Sequence, residues 1–241
     1  MSIIETSIIA STPNSIAPEA RQITFGSEIV RKLIHIGSLS IPIMYYYASR
    51  TTALEILVPV AVLSFVADMG RHYFGPIERL VNRLFSGIIR PHERQSGLLS
   101  GATYVMIAAL FCVLVFPKLI TITAFAILIV SDASSALIGR KFGKHKFLDK
   151  SLEGSLAFVV TAWIVILITP KAGTGLMEYA IAMIAAVIGG IAEASSARSR
   201  MDDNLSVPLS IGFVMWALYF LLGELDPAHF GALYDAMMRF S

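Results

Sequence analysis

The chain has 241 residues, is 56% hydrophobic and 15% charged, and has a mean hydropathy of +0.71, values that exclude an ordinary soluble domain and predict an integral membrane protein. Its formal net charge of +2 carries no information until the charges are assigned to sides of a bilayer. The single cysteine, Cys112, lies inside an apolar run, so no internal disulfide forms and the charge of the loops must report the compartment.

The start, "MSIIETSIIASTPNSIAPEARQ", lacks the basic opening and continuous apolar core of a signal peptide and is expected to be a short tail. We assign 1–27 to this tail and 28–241 to one membrane-embedded domain, because no internal repeat, low-complexity tract or long linker divides the rest. A bilayer core about 30 Å thick takes roughly 20 residues of helix. Seven apolar stretches approach that length: 33–49, 52–67, 98–116, 119–139, 152–170, 179–197 and 205–222. The first two are short and join tightly at Arg50, so a partly embedded hairpin is an alternative for them. Between the second and third, residues 68–97 repeat Ile77, Leu80, Val81, Leu84, Phe85 and Ile88 at helical spacing, with Glu78, Arg79, Asn82 and Arg83 between them. This pattern predicts an amphipathic helix lying on the membrane interface.

Seven spans place 15 Lys and Arg with the N-terminal tail and the loops at 68–97, 140–151 and 198–204, against 4 on the other side. The asymmetry predicts that the N-terminus and the basic loops face the cytoplasm. The expected fold class is all-α, a polytopic bundle of about seven transmembrane helices plus the cytoplasmic interfacial helix.

Three polar constellations fall on that side. In "EIVRKLIHIG" (28–37), Arg31 and Lys32 read as membrane anchors, and His35 shares the Arg31 face one turn on. A histidine here is more often a structural hydrogen-bonding group than a catalyst. In "SDASSALIGRKFGKHKFLDKSLEGS" (131–155), Asp132 lies inside an apolar span among Ser131, Ser134, Ser135, Ala136 and Gly139, small residues that admit a neighbouring helix. An acid at that depth faces the bundle interior or a water-filled cavity. Five cations follow, Arg140, Lys141, Lys144, Lys146 and Lys150, which membrane topology alone would also enrich. Gly139 and Gly143 do not make a Walker loop, since three residues separate them and His145 follows Lys144, but a basic glycine turn can contact phosphate. Ser151 and Glu153 suit either the first turn of the fifth span or a ligand. In "GGIAEASSARSRMDDNLSVP" (189–208), Glu193 repeats the pattern of Asp132, with Gly189, Gly190, Ser196 and Ala197 about it; Asp202, Asp203 and Asn204 follow. These oxygens suit Mg²⁺, although an Asp-Asp-Asn turn also caps a helix. Carboxylates for a metal and cations for phosphate are the parts a phosphoryl-transfer site needs.

These segments, "RKLIH", "SDASSALIGRKFG", "KSLEGS" and "EASSARSRMDDNLSVPL", with "ERQSGLLSGATY" (93–104) as a weaker match, occur in the order found in the CTP-dependent polyprenol and lipid kinases, which the chain resembles. That group includes dolichol kinase, phytol kinase and CTP-dependent diacylglycerol kinase. The resemblance implies transfer of the γ-phosphate of CTP to a lipid alcohol, giving a lipid monophosphate and CDP with a divalent cation, Mg²⁺ by expectation. It implies functional importance for Arg31, Lys32, Asp132 and Gly139, and a nucleotide-binding loop over Gly139, Arg140, Lys141, Gly143, Lys144, Lys146 and Lys150, with Ser151 and Glu153 beside it. Asp132, Glu193, Asp202 and Asp203 are candidate metal ligands, and His35, Glu93 and Asn204 are candidates for substrate contact or support. Either Asp132 or Glu193 suits the role of base for the lipid hydroxyl.

Two other readings are weighed. A phosphatidate cytidylyltransferase would attack the α-phosphorus of CTP, but its C-terminal Lys-Asp, His-Gly-Gly and Asp-Arg signature is absent and "RMDDNLSVPL" stands there. A transporter or lipid-binding protein would also hold intramembrane acids. Against it, the acids cluster at one face and no second set is expected in the opposite half of the spans.

Overall fold

A helix apolar on every face belongs in a protein core or in lipid, and the first half of the span expected at 119–139 is of that kind. The computed structural model describes residues 25–76, 79, 99–173, 175–199, 201–225, 231, 235, 237 and 238. Its elements in chain order are α1 (Phe25–Gly37), α2 (Ser40–Tyr47), α3 (Arg50–Tyr73), α4 (Gly101–Val115), α5 (Lys118–Phe142), β1 (Lys146–Phe147), β2 (Lys150–Ser151), α6 (Leu152–Ile168), α7 (Leu176–Ala194), α8 (Ser196–Ser199) and α9 (Asp203–Leu225). Every residue of α5 from Leu119 to Ile129 is buried, and α1, α2, α4, α6, α7 and α9 all touch it. The other helices carry large apolar side chains outward, Leu63, Leu167 and Ile168 among them. Such a belt suits lipid and not water.

Helices over Arg50–Arg71, Lys118–Phe142, Leu176–Ala194 and Asp203–Gly223 are long and apolar enough to cross a membrane; Gly101–Val115 and Leu152–Ile168 are shorter apolar helices. The protein is therefore an all-α membrane protein, with one correction. The loop after α5 folds into a two-stranded antiparallel hairpin, Lys146 opposite Ser151 and Phe147 opposite Lys150. Leu148 closes its turn with φ of 52°, a left-handed conformation uncommon for a residue with a Cβ.

The first expected span, 33–49, is not one helix. It breaks after Gly37, where Ser38 and Leu39 bond back to His35 and Ile36, and α2 restarts with Pro42 in its first turn. Proline has no N–H and its ring clashes with the carbonyl four residues back, so a continuous helix through Ser38 is disfavoured. With 8 residues, α2 is too short to cross alone. The second expected span is longer than predicted, 24 residues in α3, so Asp68 and Arg71 belong to a helix and not to the following loop. Ile77, Leu80, Val81, Leu84, Phe85 and Ile88 of the apolar stripe, and Glu93 with the first part of the weakest motif (93–98), lie outside the described residues.

α1 is amphipathic in the opposite sense to a helix in water. Glu28, Arg31, Lys32 and His35 follow the i, i+3, i+4, i+7 stripe and face the bundle, while Leu33 and Ile34 point outward. α5 and α6 approach at glycine. A Cβ on Gly154 would lie 3.0 Å from the Ser135 carbonyl oxygen and 3.2 Å from the Gly139 Cα, so backbone meets backbone there.

Candidate active site

The C-terminal ends of α5 and α7, the start of α6 and α9, the hairpin and the α1 stripe meet at one end of the bundle. Asp132, on α5, forms a buried ion pair with Lys32 of α1, with side chains only 4% and 2% exposed. His35 brings its Nε2 to 3.5 Å from the same Asp132 oxygen. Removing one member of such a pair leaves the other charged and desolvated, which is why these positions constrain each other.

One turn along α5, Ser135 donates to Glu193 Oε1 at 3.0 Å, so Asp132 and Glu193 share a neighbourhood. Lys150 also hydrogen-bonds Glu193 Oε1, and its Nζ lies 3.3 Å from Asp203 Oδ2. The hairpin aims Lys150 there. Asp149 donates its N–H to the Ala194 carbonyl at 3.0 Å and accepts from the Arg198 N–H at 2.8 Å, which ties the turn to the end of α7. Burial disfavours the Lys150 ammonium, but the Asp203, Glu193 and Asp132 carboxylates outweigh that and hold its proton above the usual lysine range.

Several sequence-predicted residues take structural roles. Ser151 caps α6 by accepting from the Gly154 N–H at 3.2 Å. Glu153 accepts from the Lys144 N–H at 3.0 Å and bonds the His145 ring at 2.7 Å, holding the glycine turn. Asp202 caps α9, accepting from the Asn204 N–H at 3.0 Å and its amide at 2.7 Å. Gly139 and Gly143 crowd Ser151, so space between α5 and α6 explains both. Lys141, Lys144 and Lys146 are exposed, outside the ion-pair cluster, and Lys141 lies 5.3 Å from the Phe142 ring centroid.

Sequence reasoning missed Glu28. It is buried, it pairs with Arg31, and its Oε2 lies 3.3 Å from Arg140 Nη1. The signal was its place in the stripe with Arg31, Lys32 and His35. Asp68 was also missed: it accepts from the Ser100 N–H at 2.7 Å and the Thr103 hydroxyl at 2.5 Å, joining α3 to the start of α4. At the opposite end, one acid, Glu178, is buried too. It accepts from the Ala172 and Gly173 N–H groups, each at 2.7 Å, and from the Tyr219 hydroxyl at 3.2 Å. A carboxylate saturated this way secures a turn and lines no ion path.

Among the described residues no group of three or more His, Cys, Asp or Glu is gathered tightly enough to form an all-protein metal cage. The donors nevertheless fit a cation such as Mg²⁺, which takes one or two carboxylates and completes its shell with water and phosphate. Glu193 Oε2 is buried without a hydrogen-bond partner, a free oxygen of the required kind. Asp132, Glu193 and Asp203 are the residues that could hold such an ion.

The chain is 34% identical over 188 residues to the uncharacterized protein RP860 of Rickettsia prowazekii, covering 77% of this chain and 92% of that one. It is 29% identical over 201 residues to CTP-dependent diacylglycerol kinase 1 of Schizosaccharomyces pombe, covering 76% and 89%. With the phytol kinase of Synechocystis it shares 26% identity over 215 residues, 79% of each chain. No protein-family model matches it, and no solved structure does.

Proposed function

This chain belongs to one family with RP860, and CTP-dependent diacylglycerol kinases and phytol kinase are its homologues; on that premise we propose that it is a membrane lipid kinase. It transfers the γ-phosphate of CTP to the hydroxyl of an isoprenoid alcohol, of polyprenol, dolichol or phytol type, or of diacylglycerol, and releases CDP and a lipid monophosphate. The observation that supports this most directly is the charge-matched cluster at one end of the bundle, where Glu28, Asp132, Glu193 and Asp203 face Arg31, Lys32, Arg140 and Lys150.

Catalysis of phosphoryl transfer is mainly positioning and charge stabilisation. In this reading Lys32 and Lys150 exchange their carboxylate partners for phosphate oxygens and offset charge on the transferring group. The carboxylates so released, Asp132 and Glu193, are set within the bilayer boundary, where a lipid hydroxyl arrives from the side and a nucleotide from the cytoplasm. One of them accepts the hydroxyl proton. Asp132, Glu193 and Asp203 would hold a divalent cation, Mg²⁺ by our reading, which would supply charge shielding for the phosphates. His35, with its Nε2 3.5 Å from Asp132, steadies that carboxylate.

Purified protein incubated with γ-labelled CTP or ATP, Mg²⁺ and a panel of lipid alcohols tests the proposal. Label in the lipid together with CDP is the expected result, and Asp132→Asn should abolish it. Pyrophosphate and a CDP-lipid would instead identify a cytidylyltransferase. Failure to turn over any nucleotide, with specific transport in vesicles, would move the protein into the transporter class.

A further inference from the structure

Glu28 has no place in the chemistry above, yet its burial carries a desolvation cost that requires a return. Its two oxygens are divided between two helices: Oε1 accepts from Arg31 Nη2, one turn on along α1, and Oε2 accepts from Arg140 Nη1 at 3.3 Å, in the last turn of α5. The three side chains are ordered by depth. Glu28 is 7% exposed, Arg31 19% and Arg140 27%, so the carboxylate sits behind and the guanidiniums stand in front. Arg140 does not need an acid for its own helix, because a cation at a helix C-terminus is already favoured. Bringing two guanidiniums together is unfavourable without an anion between them. Arg31 also keeps its Nε buried without a hydrogen-bond partner, a donor whose acceptor has to come from elsewhere. Lys32 follows Arg31 directly and leads inward to Asp132.

We propose that Glu28 is a positioning residue that holds Arg31 and Arg140 side by side as a fork for the phosphates of the nucleotide donor. A guanidinium offers five donors in a fixed plane, and Arg31 keeps donors beyond the one that Glu28 engages, its unpaired Nε among them, so a phosphate can be gripped there without displacing Glu28. The pair joins α1 to α5, and Arg31 adjoins the Lys32 that pairs with Asp132, so phosphates held by the fork lie next to the Asp132 cluster. This inference rests on the kinase reading for its ligand, not for its geometry.

Glu28→Gln, Glu28→Asp, Arg140→Gln and the double variant Glu28→Gln/Arg140→Gln, as full-length detergent-solubilised protein, separate the possibilities. Glu28→Gln is expected to raise the nucleotide KM roughly ten-fold, the loss of about one charge-assisted contact, while kcat and the KM for lipid alcohol stay within about two-fold. Glu28→Asp should recover part of the change. Glu28→Gln should raise the nucleotide KM less in the Arg140→Gln background than in wild type, because one of the two guanidiniums that Glu28 positions is already gone. Effects that multiply, or a change confined to kcat or to lipid KM, would overturn the proposal. If Glu28→Gln does not fold, Glu28→Asp carries the test, and an unchanged nucleotide KM overturns it. If wild type turns over no nucleotide, the kinase reading falls by itself, and calorimetric titration of wild type and the folded Glu28 variant with inorganic tripolyphosphate tests the fork; equal affinities overturn it.

Discussion

Lys32→Met leaves Asp132, whose side chain is only 4% exposed, as a buried carboxylate with its main partner gone. Breaking a buried pair from one side costs about 3–5 kcal/mol, whereas replacing both members by neutral groups is often near neutral or stabilising. Lys32→Met/Asp132→Asn is therefore expected to be more stable than Lys32→Met, with a coupling energy above about 2 kcal/mol. For a chain of this size that separates the melting temperatures by roughly 4 °C or more. The assay is thermal unfolding of the detergent-solubilised protein, followed by size-exclusion of a fluorescent fusion. The pH dependence has a definite sign. As pH falls, protonation of His35, 3.5 Å from the carboxylate, supplies a cation in place of the lost one, so Lys32→Met should approach wild type in acid and the double variant should respond less. Additive stability effects within about 0.5 kcal/mol would refute the reasoning. Activity should be lost in Lys32→Met, in Asp132→Asn and in the double variant, so stability and chemistry separate.

Glu193→Gln keeps the shape that receives the Ser135 hydroxyl and Lys150 but removes the charge; nucleotide turnover is expected to fall at least roughly a hundred-fold with little change in melting temperature, as for loss of a group acting in the transition state. Equal turnover would remove Glu193 from the site. Gly154→Ala forces a Cβ to 3.0 Å from the Ser135 carbonyl oxygen and 3.2 Å from the Gly139 Cα, and parting α5 and α6 should cost about 1–3 kcal/mol in the same melt. An unchanged melt would show that the two helices tolerate separation. Ser151→Ala should lose about 1 kcal/mol with the α6 cap, and Ser151→Gly, a tolerated cap that needs no more space, only a few tenths; a larger loss for Gly than for Ala would argue against capping as its role.

Hydropathy and local spacing were enough to read the membrane class, the apolar helices from Gly101 onward, and Asp132 and Glu193 as acids inside them. These follow from the sequence because a helix in lipid satisfies its own backbone, so length and polarity along the chain carry the information. Partnership was not legible. Lys32 and Asp132 are 100 positions apart, and Lys150 and Glu193 are 43 apart, and nothing in the spacing selects these pairs over Lys144 or Lys146. The α1 stripe read as anchors because a cation at a span's edge normally snorkels to water. Tertiary structure decided otherwise: α5 offers Asp132 beside α1, and an unpaired acid there costs more than ordering a lysine. The break at Ser38–Leu39 was written locally in Pro42, but its consequence, aiming Glu28, Arg31, Lys32 and His35 at α5 and not at lipid, exists only once the helices pack.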